Sequence, residues 1–250
     1  LQDKMLRLLE VQGDMAAAGQ AVGEWADAYR GENLMHGRVG ERIELLNRQL
    51  VKPFVEWMRA KKLATAQVER AAYLMHAEER NDRIADINPN MRDGGSGINT
   101  ADAKKELEQM KRFTNWGAIE RAVKLLHRIT AETRKILLDG GIISPALHKA
   151  ITDQYQNYVP LRGQDGDEQT GQGTGRGLDG RAKAFNRALG RGAGNEATNI
   201  LGEVINDARR AIVMAEKARV GRQVLRMALE HKNKDLWEVE AVETEQKFSE

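Results

Sequence analysis

The residues best suited to chemistry in this 250-residue chain are its five histidines, one of which precedes a glutamate by three positions. His76 and Glu79 could place two metal ligands on one helical face, as the Glu-x-x-His pair of di-iron bundles does in the opposite order. That kind of centre needs a second such pair, and the chain contains neither a second pair nor an HExxH pattern. The spacing therefore favours a solvated helix face with ion pairs, and we expect no metal and no cofactor.

Glycine-rich and acidic stretches give no catalytic motif either. The segment that starts at Asp165 begins like a calcium-binding loop, but its twelfth position is Arg176 where a calcium loop requires a carboxylate. The following "GQGTGRG" lacks the preceding strand and the Lys-Ser/Thr pair of a phosphate-binding loop. The chain also has no cysteine, which excludes a thiolate nucleophile. We expect no catalytic residue, and no enzymatic activity, within this segment.

A group of arginines near the end of the chain could contact phosphate groups. The candidate residues for a nucleic-acid contact are Arg209, Arg210, Arg219, Arg222 and Arg226. The last three share a helical face at spacings of three and four, which permits phosphate contacts without sequence preference. Residues 176–226 carry a net charge of +6, and residues 234–250 a net charge of −4. Two differently solvated faces would give the same asymmetry.

The elements that position these residues are predicted to be helices. Apolar stripes at helical spacing run from Val39 to Leu50, from Thr65 to about Asp86, and from Trp116 to Leu137. The Pro at position 53 should kink or restart the first of these helices. Residues 139–141 (Asp-Gly-Gly) are a helix stop, and residues 144–145 (Ser-Pro) are a helix start. We predict an all-α fold, a bundle-like array of long helices with a Gly-rich linker.

A further long helix is predicted from about Asn195 to His231. Its apolar seam follows a three-four alternation with Ala at the centre: Leu201, Val204, Ala208, Ala211, Ala215, Ala218, Arg222 and Leu225. Small seam residues let helices approach closely, within the chain or between subunits. The segment after it, residues 236–243, alternates apolar and polar residues as a strand does.

Composition divides the chain into three parts. Residues 1–161 are predicted to form a helical domain, and residues 162–180 a linker or loop in which seven of nineteen residues are Gly. Residues 181–250 are predicted to hold the long basic helix and an acidic C-terminal segment. A start at Leu rather than Met indicates a piece of a longer polypeptide. Its apolar runs are far shorter than the roughly 20 residues of a membrane span.

Three stretches carry a resemblance to a known family. They are residues 76–81 (His-Ala-Glu-Glu-Arg-Asn), residues 94–97 (Gly-Gly-Ser-Gly) and residues 158–161 (Tyr-Val-Pro-Leu). Together, over roughly residues 65–165, they resemble the large polyvalent proteins of tailed bacteriophages, some of which are named after a P-L-x-R-F-G motif. The chain departs from that motif, because it reads Pro160-Leu161-Arg162-Gly163.

The resemblance implies a virion protein. Proteins of this kind join enzymatic domains to long helical regions, and in some phages they are packaged and delivered with the genome. The chain is then expected to be a non-catalytic helical segment of an internal virion, or DNA ejection, protein that enters the host envelope or cytoplasm. The expected partners are copies of itself or other virion proteins, with non-specific DNA contact and with membrane association only as part of an assembly. The alternative is an accessory nucleic-acid-binding domain of a large phage enzyme, such as a polymerase, a transglycosylase or an antirestriction protein.

Overall fold

The structure is a computed structural model that describes residues 6–161, 194, 196–231 and 236–240. Its helices are α1 (Leu6–Ala17), α2 (Ala28–Leu46), α3 (Lys52–Ala60), α4 (Thr65–Ile87), α5 (Thr100–Lys111), α6 (Trp116–Asp139), α7 (Pro145–Gln154) and α8 (Ile200–Glu230). The described residues contain no β-strand, so the all-α prediction is confirmed. The predicted linker at 162–180 lies outside the described residues.

The long helix α8 lies in the same core as the helices that precede the Gly-rich segment. It packs against α2 and α6 over most of its length, and α4 and α5 pack against each other beside them. The main core contains the apolar faces of α4 and α6 together with the first half of α8. The helices of residues 1–161 and the long helix of residues 181–250 therefore contribute to the same hydrophobic core.

A π-helical turn joins α2 to α3 at the position where proline was expected to disturb the helix. This turn spans Asn47–Val51, and Pro53 is the second residue of α3. Proline has no N–H to donate, and in a regular helix its ring would clash with the carbonyl four residues earlier. The widened turn before it and its place at the start of α3 remove both problems.

The predicted helix boundary between α6 and α7 is confirmed in detail. Gly141, just beyond α6, has a φ of +65°, the left-handed conformation that glycine adopts readily. The Ser144 side chain accepts a hydrogen bond from the Leu147 amide at 3.1 Å, and Pro145 is the first residue of α7. This short connection turns the chain and brings α7 back beside α6.

The far end of α8 forms a second, smaller cluster with the start of the chain. Met227 is buried there against Met15 of α1 and Ala26, and the Trp237 ring packs on them. The Trp237 indole N–H donates to the carbonyls of Ala228 and His231 at 3.2 and 3.1 Å. Residues 236–240 thus pack on the end of α8 and form no strand, so the strand prediction is wrong for these residues. In the described part of the chain, no helix combines the length and apolar character that a membrane crossing requires.

Candidate functional site

The three stretches that carry the family resemblance come together on α4. His76 and Asn81 of α4 are each 1% exposed, and Ser96 is fully buried. Ser96 lies in the loop formed by residues 94–97, which we call the glycine loop. Residues 155–161, which follow α7, contact α4 at His76 and Glu79, whereas the glycine loop contacts it at Asn81. We call this set of contacts around α4 the polar core.

Glu79 ties the segment after α7 to α4. Its Oε1 accepts hydrogen bonds from the backbone N–H of Gln156 at 3.2 Å, and from the backbone and side-chain amides of Asn157 at 3.1 and 2.9 Å. Its Oε2 lies 3.3 Å from His76 Nδ1 and 3.1 Å from the Asn157 backbone nitrogen. Because protein N–H groups already occupy both oxygens, this carboxylate acts as a tether.

Asn81, two residues after Glu79 in α4, holds the glycine loop. Its Oδ1 accepts from the Ser96 backbone N–H at 2.7 Å, and its Nδ2 donates to the Ile98 carbonyl at 3.0 Å. Gly95 is required here for space, because a Cβ at that position would lie 2.4 Å from the Ile84 Cβ. The buried Asn81 amide thus supplies hydrogen bonds to backbone groups of the loop that have no partner in a helix or strand.

The start of α5 is capped from a distance. Asn99 occupies the N-cap position, but its side chain makes no capping hydrogen bond. Asp93 accepts instead from the Thr100 backbone N–H at 3.1 Å and from the Thr100 hydroxyl at 2.8 Å. Asp93, seven positions before Thr100, therefore caps α5.

Aromatic rings close the polar core. The His76 ring makes edge contacts with the rings of Tyr155 and Tyr158, at centroid distances of 5.4 and 5.5 Å. The Arg134 guanidinium of α6 lies 5.9 Å from the Tyr158 ring centroid, a cation–π distance. The core therefore joins α4, α6 and the segment after α7.

Electrostatics in the polar core favour neutral histidines beside an ionised carboxylate. Burial lowers the pKa of His76, and this outweighs the opposing effect of Glu79. Burial also lowers the pKa of His127 on α6 to about 4. Burial alone would raise the pKa of Glu79, but hydrogen bonds from His76 and Asn157 hold it below its usual value.

Two buried nitrogens beside this cluster have no hydrogen-bond partner among the described residues: His127 Nε2 and an Arg134 Nη. Burial lowers the pKa of Arg134, in agreement with a partly desolvated guanidinium. Within the described ranges, no set of three or more His, Asp or Glu side chains is arranged to hold a metal ion. Of two open surface grooves, one lies on α5 and one between α3 and the start of α8, and no residue of the polar core lines either.

The five predicted phosphate-contacting arginines are all exposed on α8, but they do not form one surface. Arg210 lies 3.6 Å from the Asp207 carboxylate. Arg222 donates to the Gly140 carbonyl at 2.6 Å, and Arg226 pairs with Glu230 at 2.9 Å. Arg209 and Arg219 make no ion pair with described residues, and they lie ten positions apart, on different faces of the helix.

Sequence reasoning missed a buried ion pair between α2 and α8. The Glu216 carboxylate, 3% exposed, accepts from Arg38 at 2.8 Å and from Arg42 at 2.7 Å. Burial would raise the pKa of Glu216, but the two arginines hold it below its usual value. One sequence feature could have indicated that Glu216 is buried: it directly follows the seam residue Ala215.

This chain matches no protein-family model, no curated protein and no solved structure.

Proposed function

We propose that this chain is a helical structural segment of a phage internal virion (DNA ejection) protein of the large polyvalent kind. It assembles with copies of itself or with other virion proteins and helps to deliver the genome into the host. The observation that carries the proposal is the seam of α8, which is buried in its first half and exposed in its second.

The first half of the seam is already used within the chain. The seam residues from Leu201 to Ala215 are buried in the main core. The approach is close, because a Cβ on Gly140 would lie 2.7 Å from the Ala215 Cβ. The small side chains of this half therefore serve packing inside the subunit.

The second half of the seam turns away from the core. Ala218 is partly exposed, and Arg222 and Leu225 are exposed. On a straight α-helix, a seam with a strict seven-residue repeat drifts by about 20° per heptad around the helix axis. Seam residues that face a neighbouring helix at one end therefore point away from it several turns later. The exposed half presents apolar side chains at helix-packing spacing, which supports an assembly role.

The polar core supports a structural role for the stretches that carry the family resemblance. Glu79 and Asn81 each bind one loop to α4: Glu79 accepts from Asn157, and Asn81 accepts from Ser96. The hydrogen bonds of these two side chains fix one arrangement of the two loops on α4. The polar core then explains why a helical chain keeps these residue types together.

The test is mass spectrometry on purified particles of the parent phage, before and after triggered genome release, with a capsid protein as the internal standard. Peptides of this chain are expected before release and are expected to be depleted afterwards. Peptides missing from particles throughout would overturn the proposal. Light scattering on the purified chain tests self-association: an assembly would support it, and a strictly monomeric chain would count against it.

A second function, an accessory nucleic-acid-binding domain of a large phage enzyme, has one observation in its favour. Arg209 and Arg219 are exposed and make no ion pair with described residues. The test is DNA binding as a function of salt for the double variant Arg209→Ala/Arg219→Ala, with Arg121→Ala/Arg128→Ala on the exposed side of α6 as the matched control. Loss of two phosphate contacts should reduce the slope of log K against log salt by about 2.

Equal slopes for the two double variants, or no binding at low salt, would exclude this function for the α8 arginines. Arg222 is left unchanged in the test because its contact with Gly140 contributes to the fold.

A further inference from the structure

We infer that the exposed face at the C-terminal end of α8 docks an acidic amphipathic helix of another protein. Leu225 and Leu229 are one helical turn apart and are 47% and 51% exposed. Met227, between them in sequence, is 2% exposed and belongs to the buried side of the helix. The inference rests on the proposed assembly role, for which it specifies the partner.

The apolar character of this face extends to a neighbouring tryptophan. Trp25 is 59% exposed, and its indole N–H donates to Glu230 at 3.1 Å. The Arg226 guanidinium lies 5.9 Å from the Trp25 ring centroid. Arg226 and Glu230 each follow one of the exposed leucines by one position, so Trp25 contacts the same two turns of α8 that carry the leucines. Large side chains grouped at the surface mark interaction sites, whereas single exposed ones do not.

The charge of this face identifies the partner. The exposed basic residues on the last turns of α8 are Arg219, Arg222 and Arg226, and the exposed acid there is Glu230, so the net charge of these exposed residues is +2. Glu216, the other acid of these turns, is buried against α2. A partner that places carboxylates beside its own apolar stripe would complement both the leucines and the arginines.

A second copy of the chain fits this face poorly. Two identical faces would bring the same positive surfaces together, and like charges in contact disfavour association. Duplex DNA complements the arginines, but its phosphate backbone leaves the two leucines unburied. An acidic amphipathic helix uses all of these side chains at once.

The experiment measures fluorescence anisotropy of a labelled three-heptad peptide with Leu at positions a and d and Glu at positions e and g, titrated with the whole chain. The control peptide carries Lys in place of each Glu. We expect the Glu peptide to bind at least about tenfold more tightly than the Lys peptide at low salt. The double variant Leu225→Gln/Leu229→Gln should weaken binding at least about tenfold. Leu45→Gln, which changes a 39% exposed leucine on α2, should leave it unchanged.

Several results would overturn the inference. These are no binding of the Glu peptide, equal binding of the Lys peptide, or an affinity that the leucine variant does not alter. Direct binding of a short DNA duplex or of phosphatidylserine vesicles, with no peptide binding, would assign the face to nucleic acid or to a membrane surface. If light scattering shows an assembly while the Glu peptide fails to bind, this inference falls and the proposed assembly role stands.

Discussion

Replacing Glu79 by Ala should loosen the segment after α7 and cost about 2–3 kcal/mol of unfolding free energy. The variant removes the acceptor for three N–H donors on residues 156 and 157. Gln156 is exposed, so its N–H regains water and contributes little. The two Asn157 donors are partly buried, and an unsatisfied buried donor costs roughly 1–3 kcal/mol, toward the lower end where water can reach it.

The assay is urea unfolding at neutral pH, with hydrogen exchange at the Asn157 amide as the local readout. Glu78→Ala is the matched control, because Glu78 is the preceding residue, is 49% exposed and forms a surface pair with Lys104. Its substitution should change stability by no more than about 0.5 kcal/mol. Glu79→Gln keeps an acceptor oxygen but no charge and should fall between the two.

Equal stabilities for Glu79→Ala and Glu78→Ala would refute the tether. So would an Asn157 amide that stays protected in Glu79→Ala, because both acceptors of that N–H in the structure are Glu79 oxygens. A large loss of stability with unchanged local protection would mean that Glu79 acts through His76 alone.

Three further predictions concern other buried groups. Glu216→Gln should cost roughly 2–3 kcal/mol in urea unfolding by leaving two arginines without their carboxylate, whereas Glu120→Gln in a surface pair should cost less than about 0.5. Stability should fall as pH drops from about 6.5 toward 4, because the pKa of His127 is about 4 in the folded chain and the unfolded chain therefore binds the proton first. His127→Gln should reduce this pH dependence of the unfolding free energy. Gly95→Ala should lower the melting temperature through its steric conflict, at a cost of roughly 1–3 kcal/mol, whereas Gly37→Ala, in open space on α2, should raise stability by about 0.5–1 kcal/mol.

The helices were predictable because their signals are local. The apolar stripe of α6, its Asp-Gly-Gly stop and the Ser-Pro start of α7 each lie within a few residues of the feature they specify. Local backbone preference and side-chain periodicity were sufficient for these elements.

The polar core was beyond the reach of the sequence for the opposite reason. Glu79 meets Asn157 at a separation of 78 residues, and Glu216 meets Arg38 at a separation of 178. A charged residue at helical spacing looks the same in the sequence whether its partner is water or a distant amide. The solvated reading of the His76–Glu79 pair was wrong, because the imidazole is buried and the carboxylate is bound on both oxygens.

The seam of α8 links the fold to the proposed assembly. Its three-four alternation is a property of the sequence and runs unbroken from Leu201 to Leu225. The seam residues from Leu201 to Ala215 are buried in the main core, whereas Arg222 and Leu225 are exposed. An alternation that served only internal packing would need no apolar residues beyond the point where the seam leaves the core. Leu225 continues it there and Leu229 extends the same face, so the exposed half has the pattern of a surface that packs against another helix.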